Sequence, residues 1–264
     1  MSPRRRLLLA LVAGAVVVAL TVAVGTVLTN RGPAAAPGSR PAQDALGPVL
    51  LVPSYGGSQA SLAPLALRLR AAGRDARVLA LVGDGRGDLS AQVVALDAAV
   101  DAALAAGAPS VDVVGYSAGG VVAGLWVARD DGAAKARRVV TLGAPLAGTT
   151  LAAVATAEAP DACPPACRQL APGSTVLAEL ARASVGAALP WLSLWTADDR
   201  TVTPPESARL PGAVNVRLQD LCPGAVVSHD ALPGDPAVTG IVVTALGTGP
   251  LGTGPSGTGS GCPA

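Results

Sequence analysis

Two kinds of apolar pattern alternate along residues 48–246. Short continuous apolar runs are followed by longer stretches in which apolar positions recur with helical spacing. Continuous runs are typical of strands buried on both faces, and parallel strands must be joined by crossovers, which are usually helices. The alternation therefore predicts an α/β fold, a doubly wound and mostly parallel sheet of about six strands.

The elements of this pattern can be assigned to ranges. Predicted strands cover 49–52, 76–82, 111–114, 139–142, 191–195 and 214–218. Predicted helices cover 62–72, 89–106, 118–129 and 236–246. The stretch between 142 and 191 contains no strand-like run, and a long insertion after a strand would lie over the ligand crevice at the sheet edge. Residues 149–190 are therefore a candidate cap, with simple decoration of the domain as the alternative.

The N-terminus departs from this pattern. The run from Leu7 to Thr29 has no charge and follows three arginines. As a helix of roughly 23 residues it would be about 34 Å long, enough for a hydrocarbon core of roughly 30 Å. Residues 1–30 are predicted to be a signal anchor or a signal peptide, with an uncleaved anchor favoured and the arginines cytoplasmic. The domain would then be extracytoplasmic, either membrane-anchored or secreted.

Two low-complexity segments flank the domain. Residues 31–47 are rich in Ala, Pro and Gly and are predicted to be a linker. Residues 247–264 are predicted to be a Gly-rich tail that does not fold up to Cys262. The folded domain is accordingly predicted over 48–246.

The number and spacing of the four cysteines indicate whether they form disulfides or bind a metal. An even number of cysteines in an exported chain favours two disulfides. Three pairings are open: a local bridge between Cys163 and Cys167 is feasible, which would leave Cys222 to pair with Cys262. A metal site is disfavoured because the chain has one histidine and no second close cysteine pair. We expect neither a metal nor a cofactor.

The charge balance excludes one class of partner. The net charge is +1 and includes the N-terminal arginines, so the rest of the chain is close to neutral and has no long basic stripe. Nucleic acid is therefore not an expected partner. The expected contacts are a substrate and, through residues 1–30, a membrane, and we expect a monomer.

The sharpest chemical motif is Gly115-Tyr116-Ser117-Ala118-Gly119, between the predicted strand at 111–114 and the predicted helix at 118–129. A serine at such a turn is exposed by strained main chain, and its neighbours two positions away must be small. The N-terminus of the following helix favours negative charge that develops beside the serine. The motif therefore predicts Ser117 as a nucleophile.

A serine hydroxyl is a weak nucleophile until a base accepts its proton. His229 is the only histidine, and it follows the last predicted strand. It is predicted to be the base, with an exposed loop histidine as the alternative. An acidic residue after an intervening strand must orient the imidazole, and Asp198 and Asp199 both meet that requirement.

With these motifs placed, residues 48–246 resemble a small bacterial lipase or esterase of the α/β-hydrolase superfamily, similar to triacylglycerol lipases. The segment 139–145, continuing to Gly148 and Thr149, is similar to the strand and loop that such lipases carry after the nucleophile helix. The usual histidine after its proline is Leu146 here. The spacing of His229, Leu232, Asp235 and Pro236 also resembles the lipase histidine loop, and Asp235-Pro236 is typical of a helix start.

The resemblance implies further site residues. The triad aspartate of such enzymes often lies three positions before Val and about five before Pro, which selects Asp199. Two backbone N–H groups bind the oxyanion in this fold, one from the residue after the nucleophile, here Ala118. Matching the loop at 53–58 to the His-Gly-x-Gly-Gly form puts Tyr55 at the second donor position, although Pro53 and Ser54 replace His-Gly.

The resemblance implies a serine carboxylic-ester hydrolase that acts through an acyl-enzyme on an ester or lipid substrate. An acyltransferase or amidase with the same triad is one alternative. A catalytically inactive surface binding protein on the same scaffold is another. The acyl-chain length of the substrate does not follow from the sequence.

Overall fold

The sheet contains six parallel strands in the computed structural model, which describes residues 40–251 and Cys262. Their order is β2-β1-β3-β4-β5-β6, and Leu51 of the first strand lies opposite both Val78 and Val114. The strands are β1 (Val49–Val52), β2 (Ala76–Val78), β3 (Val111–Tyr116), β4 (Ala136–Leu142), β5 (Trp191–Trp195) and β6 (Val214–Arg217). The predicted doubly wound parallel sheet is confirmed.

α-Helices connect successive strands of the described residues except β5 and β6, which are joined by a loop with the 3-10 helix Pro205–Ala208. Before β4 they are α1 (Ala63–Ala71), α2 (Leu89–Ala105), α3 (Ala118–Arg129) and α4 (Gly132–Lys135). Between β4 and β5 they are α5 (Thr150–Glu158), α6 (Pro165–Gln169), α7 (Thr175–Ala183) and α8 (Val185–Ala188). After β6 they are α9 (Leu218–Leu221) and α10 (Pro236–Ala245), and Asp235 caps the latter by accepting from Val238 N at 3.0 Å, as the sequence predicts.

Successive side chains of the central strands enter two separate cores. Val49 and Leu51 pack on one face of the sheet with α1 and α10, whereas Leu50 and Val52 pack on the other with α2, α3 and α7. All four side chains are at most 2% exposed. This two-sided burial explains why the strands are continuous apolar runs in the sequence.

Four strand boundaries differ from the predicted ones, and two of the differences are small: β3 ends at Tyr116 instead of residue 114, and β6 ends at Arg217 instead of residue 218. β2 ends at Val78 instead of residue 82, because its neighbour β1 ends at Val52. The last hydrogen bond between the two segments is the one that Leu79 N donates to Leu51 O. β4 begins at Ala136 instead of residue 139, because Arg137 and Arg138 are buried within it. A prediction based on apolar runs stops at charged residues, although these two belong to the strand.

The buried arginines of β4 lie near the amino edge of the sheet. Arg137 and Arg74 each contact Asp112 Oδ2, at 2.5 and 2.6 Å. Arg138 donates to the main-chain carbonyls of Ala245 and Gly249, at 2.6 and 2.5 Å. Burial and the nearby Arg137 lower the pKa of Arg138. The cluster therefore holds the end of the domain against the sheet.

The segments flanking the domain are described in part. Residues 40–47 of the predicted linker include Gln43, whose side chain donates to Arg137 O and accepts from Arg138 Nε, so this portion packs on the domain. The predicted anchor at 1–30, residues 31–39 of the linker and most of the tail lie outside the described residues. Between Arg40 and Leu251, no helix has the length and apolar character needed to cross a membrane.

The cysteines form two disulfides, Cys163–Cys167 and Cys222–Cys262. Of the three pairings that the sequence leaves open, this is the one with the local bridge, in which the two remaining cysteines pair with each other. The second bridge spans 40 positions and joins the tail to the end of α9.

The candidate cap at 149–190 is divided between two settings. Its later part, α7, packs on α3, with Leu180 lying against Gly124, and Val176, Leu177 and Leu180 are buried in the core. That part is a crossover helix of the α/β layer. Its earlier part, α5, leaves Leu151 and Val154 more than half exposed, and its role as a cap stays a prediction.

Candidate active site

Ser117 lies in the sharp turn between β3 and α3. Its main chain has φ 53° and ψ −124°, a conformation that L-residues rarely adopt. The turn places the side chain at the carboxyl edge of the central strand, directly before the N-terminus of α3. The residue is 7% exposed, so its hydroxyl faces a largely enclosed space.

Glycines on both sides of Ser117 make this turn sterically feasible. A Cβ on Gly115 would lie 2.5 Å from Gly119 O, and one on Gly119 would lie 2.2 Å from Val52 O. Both contacts are with main-chain atoms and are far inside van der Waals distance. The small neighbours expected from the motif are therefore required by the close packing of the turn against the end of β1.

The imidazole of His229 lies between Ser117 and Asp199. Its Nε2 is 3.0 Å from Ser117 Oγ, and its Nδ1 is 2.7 Å from Asp199 Oδ2. The histidine is 4% exposed and the aspartate 2%. Three side chains that the sequence places up to 112 positions apart therefore form one buried chain of hydrogen bonds.

The fold of this chain is similar to those of several solved lipases. No protein-family model matches the chain, and no curated protein matches its sequence significantly. Lipase B of Aspergillus fumigatus superposes with a TM-score of 0.64 at 21% identity, over 81% of this chain and 55% of that one. Mature BlEst2 lipase of Bacillus licheniformis superposes with a TM-score of 0.56 at 20% identity, over 65% of this chain and 82% of that one.

A third similar structure is the monoacylglycerol lipase of Paleococcus ferrophilus, with a TM-score of 0.52 at 18% identity, over 79% of this chain and 95% of that one. The chain has the α/β-hydrolase fold. This confirms, at the level of the fold, the resemblance indicated by the motifs. The chain spans about half the length of the Aspergillus lipase, 55%, so the activity of that protein is not transferred with the fold.

The loop that carries Asp199 follows β5. Asp199 Oδ1 accepts from the backbone N–H groups of Thr201 and Val202, at 2.9 and 2.7 Å, which leaves Oδ2 directed at the imidazole. Thr149 holds the same loop by donating to Thr201 O at 2.8 Å and accepting from Thr203 N at 3.1 Å. The carboxylate is thus held in place by main-chain donors of its own loop.

The neighbouring Asp198 has a different set of partners. Its Oδ2 accepts from Gln219 Nε2 at 3.1 Å and from Val227 N at 3.3 Å. Val227 lies two positions before His229, so this carboxylate anchors the loop that carries the imidazole. The sequence analysis considers this residue only as the alternative to Asp199, and no local pattern indicates the contact with Val227.

The two predicted oxyanion donors lie on elements that meet at the site. Ala118 is the first residue of α3 and is 4% exposed. Tyr55 lies in the turn after β1, where Gly57 N donates to Ser54 O at 3.0 Å. The Tyr55 ring is 36% exposed, with the guanidinium carbon of Arg86 5.7 Å from its centroid. Their role as donors stays a prediction.

Tyr116 and Gly143 also contact His229, and the sequence motifs do not indicate either contact. Tyr116, in the middle of the serine motif, donates its hydroxyl to His229 O at 3.2 Å. Gly143, one position after β4, lies against the imidazole ring. Among the described residues, no group of His, Cys, Asp and Glu side chains has the arrangement needed to hold a metal ion.

Proposed function

We propose that this protein is a serine hydrolase that cleaves carboxylic esters through an acyl-enzyme intermediate. The single observation that carries the proposal is the buried hydrogen-bonded series of Ser117, His229 and Asp199, at 3.0 and 2.7 Å. A nucleophile, a base and an orienting acid in that order are the requirements of nucleophilic acyl transfer. The likeness of the fold to lipases supports an ester as the substrate.

In the first half of the reaction, Ser117 Oγ attacks the ester carbonyl while His229 Nε2 accepts the hydroxyl proton. Asp199 accepts a hydrogen bond from Nδ1–H, which fixes the tautomer and stabilises the imidazolium that forms. The tetrahedral intermediate then collapses, and His229 returns the proton to the departing alkoxide. The products of this half are an alcohol and an ester of Ser117.

Negative charge on the carbonyl oxygen needs donors at the moment of attack. We assign this role to the backbone N–H groups of Ala118 and Tyr55, with the N-terminus of α3 adding a favourable field. The close packing of Gly119 on the end of β1 supports the assignment, because it brings the two donor segments together. Donors of this kind each contribute on the order of 10²-fold or more to the rate.

In the second half, water replaces the alcohol. His229 accepts a proton from the water as its oxygen attacks the acyl carbonyl, and the Ser117 oxygen leaves with that proton. The released product is a carboxylic acid. An alcohol or an amine in place of water would give transfer instead of hydrolysis, and the products of reactions with such competitors distinguish the two outcomes.

The two disulfides support an oxidising, extracytoplasmic setting for the domain. Attachment to a membrane through residues 1–30 and a monomeric state are parts of the same proposal. Intact mass of the native protein tests the first, since loss of the N-terminal segment would contradict an uncleaved anchor.

The test is the variant Ser117→Ala assayed on p-nitrophenyl esters. We expect a fall in kcat of roughly 10⁴-fold to 10⁶-fold with unchanged circular dichroism, because the bond-forming atom is removed from a folded protein. Ser110→Ala is the matched control, since this serine is equally buried but precedes β3 at the opposite edge of the sheet. Full activity in Ser117→Ala, or no labelling of Ser117 by a fluorophosphonate, would overturn the proposal.

A further inference from the structure

The position of the His229 ring depends on contacts other than its hydrogen bonds with Ser117 and Asp199. The histidine lies in a short 3-10 helix, His229–Ala231, within the connection from α9 to α10. A short connecting element of this kind does not by itself hold a side chain to a few tenths of an ångström. Proton transfer from Ser117 needs such precision, because rate falls steeply when reacting groups move apart.

Tyr116 supplies the first of these contacts. It is the last residue of β3, directly before Ser117, and is 3% exposed. Its ring centroid lies 5.2 Å from that of the imidazole, at an interplanar angle of 31°. Its hydroxyl donates to the main-chain oxygen of His229 at 3.2 Å, which ties the histidine loop to the strand that carries the nucleophile.

The hydroxyl of Tyr116 keeps its proton at any ordinary pH. Burial raises the pKa of this phenol, with the nearby charges of Asp230 and Asp199 acting in the same direction. The phenol therefore stays available as the donor to His229 O.

Gly143 supplies the second contact. Its φ is +52°, and its N–H donates to Leu194 O at 2.9 Å, so its backbone is held by the neighbouring strand. A Cβ built on it would lie 2.8 Å from Leu232 Cδ1, 3.1 Å from His229 Nδ1 and 3.2 Å from His229 Cε1. The imidazole and the end of the Leu232 side chain together occupy the space that any side chain at position 143 would need, and the ring atoms, unlike the leucine methyl group, cannot turn aside without moving the imidazole.

We infer that Gly143 and Tyr116 are positioning residues that together form a slot for the His229 imidazole and set its distance from Ser117. The inference rests on the proposed function, since a fixed imidazole matters for proton transfer. Neither residue touches the reacting atoms of a substrate. Substitutions at these two positions should therefore lower kcat while substrate binding is retained.

The test compares Gly143→Ala and Tyr116→Phe with Gly107→Ala. Gly107 also has a positive φ, +94°, but a Cβ there meets no atom within 4 Å, and it precedes β3 at the opposite edge of the sheet. It therefore reproduces the backbone strain without the contact. We expect kcat to fall roughly 10-fold to 100-fold in Gly143→Ala and several-fold in Tyr116→Phe, with KM within about two-fold. Gly107→Ala should match the unaltered protein.

A second measurement is independent of activity. Because the chain has one histidine, the imidazole proton that bonds Asp199 gives a single assignable low-field NMR resonance. We expect this resonance to shift or broaden in Gly143→Ala and Tyr116→Phe and to stay in place in Gly107→Ala. If Gly143→Ala does not fold, Tyr116→Phe alone decides, by the same two measurements.

Unchanged kcat and an unchanged resonance in folded Gly143→Ala or Tyr116→Phe would overturn the inference for that residue. An equal loss in Gly107→Ala would overturn it as well, because strain alone would then explain the effect. Failure of the proposed function gives a different result, an unaltered protein that is inactive on every ester while the imidazole resonance still responds to the two variants.

Discussion

Asp198 and Asp199 are adjacent in the sequence but accept hydrogen bonds from different parts of the molecule. Asp199 meets the imidazole of His229, whereas Asp198 meets Gln219 and the main chain at Val227. Asp199 is 2% exposed, so its oxygens accept directed hydrogen bonds from the protein and not from solvent. The two aspartates therefore differ in what they hold in place, although their side chains are chemically identical.

This difference leads to a prediction about Asp199→Asn. The amide cannot accept from Nδ1–H in the same way, so the imidazole is held in the wrong tautomer and kcat should fall roughly 10³-fold to 10⁴-fold. Asp198→Asn is the matched control. Its amide oxygen can still accept from Val227 N, and kcat should stay within about ten-fold of the unaltered protein. Steady-state kinetics on a soluble ester measures both.

The opposite order of effects, with Asp198→Asn the more damaging variant, would show that the acid role belongs to Asp198. Equal and small effects would show that neither carboxylate orients the base.

At the scale of the element, β3 and α3 act as one unit with the turn between them. The turn brings α3 so close to the end of β1 that only glycine fits at Gly119, where an added Cβ would lie 2.2 Å from Val52 O and 2.5 Å from Pro53 O. Main-chain oxygens within a sheet cannot move aside cheaply. The same approach that exposes Ser117 therefore makes the turn intolerant of side chains.

We predict that Gly119→Ala lowers the free energy of unfolding by about 1–3 kcal/mol or more, through overpacking against this backbone. Urea unfolding followed by circular dichroism measures the change. Gly87→Ala is the control, since a Cβ there meets no atom within 4 Å, and its effect should be about 0.5 kcal/mol or less. A Gly119→Ala protein as stable as Gly87→Ala would contradict this account of the turn.

The residues between β4 and β5 are predicted from the sequence as one candidate cap, but α7 belongs to the helices that cover the sheet. The lack of a strand there favours a cap, yet α7 carries a buried apolar face that packs on α3. A crossover helix and a cap helix differ in what their apolar face contacts, which periodicity does not specify.

At the scale of the whole molecule, the two ends of the domain meet at a buried charged cluster. Arg74, Arg137 and Arg138 share it with Asp112, and main-chain carbonyls between Ala245 and Gly249 accept from Arg137 and Arg138. Arg137 and Asp112 have fully buried side chains. Because the cluster joins residues far apart in the chain, it closes the fold at the edge opposite the active site.

We predict that Asp112→Ala lowers the free energy of unfolding by about 3–5 kcal/mol, because it leaves buried arginine charge without its carboxylate. Asp75→Ala is the control. Its ion pair with Arg77 is more than half exposed on both sides, and such pairs contribute about 0–1 kcal/mol. Urea unfolding of both variants measures the contrast, and equal effects would contradict a structural role for the buried cluster.

The features that depend on local pattern could be predicted from the order of residues along the chain. Continuous apolar runs predicted the strands because both faces of the sheet are covered, and the strand-turn-helix setting of Ser117 follows from glycines two positions away on either side. His229 required no choice, since the chain has one histidine.

The contacts between groups from distant parts of the chain follow from the packing of the elements and not from local pattern. This packing joins Asp198 to Val227, buries Arg137 and Arg138 inside β4, and brings Tyr116 and Gly143 against His229. Such contacts join residues up to 113 positions apart in the chain. The free energy of a buried charge or of a close backbone approach depends on the groups packed around it, so it cannot be read from the type of one residue.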